Sequence, residues 1–192
     1  MKKVLTVGLV TTLFMFYMLG MVQADPIVSQ GLGSSAYTAS SSYSVYTPDL
    51  AFDGNFNTSW IAPSYTGWIQ VNLGQLTNVS SVLLTIQQNP AGLTTQEVWL
   101  SSQSILGDTS NAILAYTFSG YTVGGQLLSA DFSTPIIAQY VEIETTSSPS
   151  WVAWWEIQVI DSAMPAVPEP ATMLLLGFGL MGLAGARRKF KK

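Results

Sequence analysis

The segment Asp53-Gly54-Asn55-Phe56-Asn57-Thr58-Ser59-Trp60 gathers oxygen-bearing side chains around a glycine. Glycine takes positive φ at little cost, so the backbone can curl there and turn several carbonyls inward. Hard cations such as calcium take about six to eight oxygens from a set of this kind. Asp53 offers a carboxylate, Asn55 a side-chain carbonyl, and Thr58 both its hydroxyl and its backbone oxygen. The same spacing also fits an Asx-type turn capped by Asp53 with no metal. It is not the EF-hand pattern, and spacing alone leaves both readings open.

Few other chemistries are available to this chain. All its positive side chains, Lys2, Lys3, Arg187, Arg188, Lys189, Lys191 and Lys192, lie in the first three or last six positions, and it has no His and no Cys. From Val4 to Ala186 nothing is positive, while every acid from Asp25 to Glu169 falls inside that stretch. Histidine bases, Ser-His-Asp triads, Schiff-base lysines, phosphate-clamping arginines and histidine-ligated zinc are excluded by residue type. A wholly acidic body repels phosphate backbones and anionic membranes, so nucleic acid is not an expected partner.

Carboxylate pairs remain. Glu142 and Glu144 stand two apart, which on a strand places them on one face, and their carboxyls could approach the separations glycosidases use. In Tyr140-Val141-Glu142-Ile143-Glu144, alternation makes that face the solvent side, opposite Val141 and Ile143. The chain is therefore read as not an enzyme.

The elements that would position the Asp53 loop have period two. Gly67 to Leu73, Val79 to Gln87, Thr95 to Leu100, Ala112 to Phe118, Gln126 to Phe132, Ile136 to Thr145 and Trp151 to Ile160 read as strands. Turn material separates them at Asn89-Pro90-Ala91-Gly92, Leu106-Gly107-Asp108 and Val123-Gly124-Gly125. About eight short strands and no convincing helical period argue for an all-β fold, an antiparallel β-sandwich of the jelly-roll kind. Without cysteine, its core holds by packing alone. Trp60 and Trp68 are both assigned to that core.

The two ends read as addresses. Lys2 and Lys3, the apolar run Val4 to Val22 and the small residues before Asp25-Pro26 predict a signal peptide, 1–24, forming a signal helix and removed after Ala24 by signal peptidase. A short leader, 25–33, precedes the body at 34–162, and a Pro-rich linker, 163–170, follows it. Residues 171–192 form an apolar C-terminal helix with a basic tail. Ala171 to Ala186 would span about 24 Å as a helix against a hydrocarbon core of about 30 Å, marginal for a permanent anchor. The basic cluster keeps that end cytoplasmic and leaves the body outside.

Val167-Pro168-Glu169-Pro170-Ala171-Thr172, the apolar run and Arg187-Arg188 together resemble the PEP-CTERM sorting signal of Gram-negative bacteria. The resemblance implies recognition by an exosortase at Pro168, Glu169, Pro170, Arg187 and Arg188, transient insertion in the inner membrane, cleavage near Pro-Glu-Pro, and delivery to the cell surface or an exopolysaccharide matrix.

The body has a resemblance of its own. Ser40-Ser41-Ser42, Ala51-Phe52-Asp53-Gly54-Asn55 with Thr58 and Trp60, Trp68-Ile69-Gln70-Val71-Asn72-Leu73-Gly74 and Trp155-Glu156-Ile157 look like a discoidin domain, the coagulation-factor C-type, galactose-binding-like jelly roll, over roughly Ser34 to Ile160. The resemblance implies a structural calcium ion held by Asp53, Asn55, Thr58 and Glu156 with a carbonyl near Ala51. Asn72 stands where the family commonly has Asp.

Relatives of this kind bind at loops on one end of the sandwich, near the calcium loop, where this chain places Tyr43, Tyr46, Tyr65 and Trp151. Tyr and Trp stack on the apolar face of a sugar ring while amides and hydroxyls bond its hydroxyl groups. The Arg or His with which galactose-binding relatives grip hydroxyls is missing here. The expected ligand is therefore an extracellular glycan, a neutral one read by aromatics and amides or an acidic one bridged by calcium. The alternative is a structural matrix or coat protein with no small-molecule site, and an aromatic-lined concavity at the loops distinguishes the two.

Overall fold

The computed structural model describes residues 26–162. The predicted signal peptide and the sorting segment from residue 163, with Pro168, Glu169, Pro170, Arg187 and Arg188, lie outside the described residues. Within them are seven strands: β1 (Tyr37–Ala39), β2 (Trp60–Ala62), β3 (Gly67–Ile86), β4 (Gly92–Ser101), β5 (Ile113–Thr122), β6 (Leu127–Ser147) and β7 (Val152–Asp161). Every pairing is antiparallel, and the fold is the expected all-β jelly roll.

Two strands make both layers. β3 and β6 run beside each other for nearly their whole lengths, with register breaks between Asn72 and Thr77 and between Val79 and Ser81. Before the first break β3 is flanked by β1 and β6, and β6 continues to β4 and β5. After it, β3 is flanked by β6 and β7, and β7 carries β2. Each long strand thus passes from one layer to the other at an irregularity that bends it.

Gly74 takes φ +78° at the bend. Asn72 Oδ1 accepts from Gly74 N at 2.9 Å and from Gln139 Nε2 at 3.1 Å, tying the corner to β6. Only the side-chain oxygen is used as acceptor, which a carboxylate would supply equally well. The strands expected at Gly67–Leu73 and Val79–Gln87 are therefore one, as are those at Gln126–Phe132 and Ile136–Thr145.

The core follows from alternation. Ile69, Val71, Val98, Leu100, Val141 and Ile143 point inward from one layer, Val82, Leu84, Ile157 and Val159 from the other, and all are fully buried. Trp60 joins them, its Nε1 donating to Ser41 O at 3.0 Å and Ser42 Oγ at 3.2 Å, as a buried indole requires. Trp68 does not. It is half-buried on the outer face of the sheet, packed under the loop at Gly107, where an added Cβ would lie 2.7 Å from its Nε1.

The same loop overturns the solvent placement of Glu142. Gln70 Oε1 accepts from Ile105 N at 2.7 Å and Leu106 N at 3.3 Å, while both Glu142 oxygens lie 3.2 Å from Gly107 N. The segment after β4 is strapped across the face carrying Gln70 and Glu142, so Glu142 is fully buried and Glu144 half-buried. Alternation assigns the two glutamates to one face correctly, but that face is covered.

The segment expected as a leader is built into the body. Val28 N donates to Val159 O at 2.9 Å and Asp161 N to Pro26 O at 3.1 Å. Ser29 is buried, with its Oγ accepting from Val159 N at 2.9 Å. The sheet domain thus begins at Pro26 or before it.

Candidate functional site

The Asp53 loop closes on itself and on β7. Asp53 Oδ1 accepts from Asn55 N at 2.8 Å, and Asn55 Oδ1 accepts from Asn57 N at 3.1 Å. These are two successive Asx turns, the arrangement that keeps a polar loop compact. Gly54 takes φ +76°, which directs its N–H to Glu156 Oε2 at 3.0 Å, and Gln30 Nε2 donates to Glu156 Oε1 at 2.9 Å. Burial pushes the Glu156 carboxyl above the usual carboxylate range; the hydrogen bonds from Gln30 and Gly54 oppose this, and neighbouring Asp53 adds to it.

Thr58 closes the loop. Its Oγ1 lies 2.8 Å from Asp53 Oδ2 and 2.7 Å from Asn55 O, so its one proton is shared between two acceptors. A cation among these oxygens would offset the repulsion between Asp53 and Glu156 in a body without Lys or Arg.

The donor set is all oxygen and suits a hard cation. Ala51, fully buried at the end of the 3₁₀ turn Pro48–Ala51, has only its main chain to offer. Among the described residues no three acidic side chains converge, so Asp53 and Glu156 are the two carboxylates available here. Gln30 had no sequence signal: it stands 126 residues from the glutamate it holds.

The aromatic residues form a second group. Tyr43 and Tyr46 face each other across a tight hairpin, with ring centroids 6.3 Å apart and planes within 11°. Trp151 tilts against Tyr43 at 5.2 Å and 57°. Two backbone hydrogen bonds hold these segments together, Tyr43 N to Ile61 O and Val152 N to Ser64 O, both 2.8 Å.

Tyr43 and Trp151 nevertheless stay 47% and 44% exposed, open enough to meet a ligand ring. Tyr65, also exposed, follows Ser64 in the same neighbourhood without joining the ring contacts. The Asp53 loop leads into β2 and Tyr65 follows it, so that three-residue strand links the two groups.

Below Trp151 the end of the sandwich is polar inside. Gln88, Thr94, Gln96, Thr122 and Thr145 are all buried. Thr122 Oγ1 donates to Gln88 Oε1 at 2.8 Å and Thr145 Oγ1 to Gln96 Oε1 at 2.6 Å. A recess opens there, lined by Gln87, Gln88, Gln96, Thr145, Trp151 and Trp154 among others. The loops thus present exposed aromatics beside a small recess of amides and hydroxyls with room for about one water-sized group.

A jelly roll with a cation-suited loop and an aromatic end is the architecture of a binding module. The F5/8 type C domain family model matches residues 36–157, and the chain belongs to that family. The PEP-CTERM protein-sorting motif matches residues 166–189. No curated protein matches the chain.

Among solved structures, chitosan-binding module 1 of a chitosanase/glucanase from Paenibacillus sp. IK-5 is similar at 27% identity and TM-score 0.58, covering 70% of this chain and 98% of that one. Chitosan-binding module 2 of the same enzyme, in complex with chitotriose, has 23% identity and TM-score 0.57, with 69% and 98% covered. The family 32 CBM of C. perfringens NanJ, in complex with galactose, has 21% identity and TM-score 0.54, with 71% and 98% covered. The last two likenesses concern the fold. Among the described residues no helix is long and apolar enough to cross a membrane.

Proposed function

We propose that this protein is a non-catalytic carbohydrate-binding module, exported, processed by signal peptidase and an exosortase, and held at the cell surface or in an exopolysaccharide matrix. The observation that carries the reading is the exposed Tyr43–Tyr46–Trp151 group at an end of the sandwich lined by uncharged amides and hydroxyls. The rings supply faces for a sugar to stack on, and the amides supply donors and acceptors for its hydroxyls. Modules of the same fold bind chitosan, chitotriose and galactose by their descriptions, which supports a saccharide here.

Calcium is the structural ion of this reading, held by Asp53, Asn55, Thr58 and Glu156 with the Ala51 carbonyl. When bound it would fix the loop and neutralise two carboxylates, supplying stability and no catalysis. A neutral saccharide suits this uncharged end better than an acidic one, because the body around it is negative throughout.

The open faces of Tyr43 and Trp151 support this reading over a matrix protein without a small-molecule site. Screening the protein on an array of neutral and acidic glycans, beside Trp151→Ala, tests it. Retention on neutral saccharides that the variant loses is the expected result; no retention on any glycan returns the protein to the structural class.

A further inference from the structure

Among the described residues three buried side-chain atoms have no hydrogen-bond partner: Asp161 Oδ1 at the end of β7, and two more that lie elsewhere and share one recess. Trp154 is only 1% exposed, yet its Nε1 has no acceptor, and the buried Oε1 of Gln87 has no donor. Buried polar atoms are nearly always paired, because an unpaired one forfeits its hydration with nothing in return. The sheet had the means to avoid both cases. Trp60, directly opposite Trp154 across β2 and β7, finds two acceptors for its own indole N–H. Gln88, the next residue after Gln87, accepts from Thr122 and donates to Gly92 O and Thr122 O.

Of the three residues, Gln87 and Trp154 line the same recess and Asp161 does not. Trp151 lines it too, and on its exposed side that ring meets Tyr43. One donor and one acceptor therefore stand without partners beneath the edge of the exposed aromatic group. The recess has room for about one water-sized group and no more. None of its lining residues is charged.

We infer that this recess is an anchor subsite for a single hydroxyl group of a saccharide whose ring remains outside, against Trp151 and Tyr43. A hydroxyl is the smallest group that both donates and accepts, so it can give its proton to Gln87 Oε1 and take the Trp154 N–H. A carboxylate would leave Gln87 unpaired, and an ammonium would leave Trp154 unpaired. The subsite thus selects a neutral group at one position of the ring. It rests on the saccharide reading above and adds to it which substituent is read.

Discrimination at such a site is steep, because a ligand lacking that hydroxyl leaves two buried polar atoms unsatisfied. The test is titration of the full-length protein, in a detergent without a sugar headgroup, with galactose, glucose, mannose and N-acetylglucosamine, and with the single-deoxy analogues of those that bind. Gln87→Leu and Trp154→Phe are titrated in parallel; each removes one polar atom and keeps most of the side-chain volume. Trp151→Ala reports on the ring contact separately.

The expected result is that one deoxy analogue, and only one, binds roughly tenfold more weakly to the wild type. Gln87→Leu and Trp154→Phe should weaken the parent sugar to a similar extent and be nearly indifferent to that analogue. If either variant unfolds, the deoxy series on the wild type still decides the matter. Binding that Trp151→Ala abolishes, but that both recess variants and every deoxy analogue leave unchanged, overturns the subsite and keeps the saccharide reading. Binding of none of the four sugars by the wild type overturns both.

Discussion

Both carboxylate oxygens of Glu142 lie 3.2 Å from the backbone N–H of Gly107, so a fully buried acid in the middle of β6 pins the loop after β4 across its own sheet. Gly107 sits at φ +82° with Trp68 directly beneath it. The loop, the glutamate and the tryptophan form one packed unit on the outer face of that layer.

That arrangement makes stability depend on pH. Burial pushes Glu142 from 4.5 up to about 7; the Gly107 and Leu106 N–H groups oppose the rise and Glu144 adds to it. Burial and neighbouring Glu97 raise Glu144 as well. The folded state then binds more protons than the unfolded one between about pH 4.5 and 7. Stability is therefore greatest below that window and falls as pH rises through it. Chemical denaturation at pH 5 and pH 8 should differ by about 2 kcal/mol in favour of pH 5. Glu142→Gln keeps an acceptor for Gly107 and should remove most of the difference.

Gly107→Ala should cost about 1–3 kcal/mol, since it combines a left-handed backbone with a Cβ that would lie 2.7 Å from Trp68 Nε1. Pairing it with Trp68→Ala in a double-mutant cycle separates the two causes. Relief of the steric part shows as coupling, while the backbone part persists.

Calcium should raise the thermal midpoint and EDTA should reverse the rise. Saturation to a hundred times the dissociation constant corresponds to about 2.7 kcal/mol. Asp53→Ala removes a carboxylate and the Thr58 contact, and should abolish the calcium response while leaving the sheet folded. A midpoint equal in calcium and EDTA would leave the loop as a plain Asx turn.

Trp60→Ala should cost about 3–5 kcal/mol. The deletion opens a hole beside Trp154 in the buried core. Trp151→Ala, on an exposed loop, should change stability by less than about 0.5 kcal/mol. The contrast separates an aromatic kept for packing from one kept for contact.

The pattern of period two made the inward residues of β3, β6 and β7 legible, and with them the all-β class. It could not show that Gly67–Leu73 and Val79–Gln87 are one strand. Gly74-Gln75-Leu76 interrupts the alternation, and only the pairing with β6 on either side of it and the Asn72–Gln139 bond reveal a bend. Glu142 exposes a related blindness: alternation sorts residues into faces, but whether a face is covered depends on a loop 35 residues away.

The geometry was legible where it is local: the Asp53–Thr58 segment closes as the Asx turn its spacing allows, and Tyr43 lies against both Tyr46 and Trp151. It was opaque where partners come from afar, as with Gln30 at Glu156 or the shared recess of Gln87 and Trp154. Nothing in Trp151 to Ile160 marks Trp154 as the tryptophan whose N–H lacks a partner.

The most direct test of the saccharide-binding account is calorimetric titration of the wild type and Trp151→Ala with galactose and with chitotriose. The account predicts measurable binding of at least one of the two by the wild type, weakened ten- to a hundredfold, about 1.4–2.8 kcal/mol, in a variant that remains folded. No heat of binding from either sugar, or equal affinity in both proteins, would contradict it.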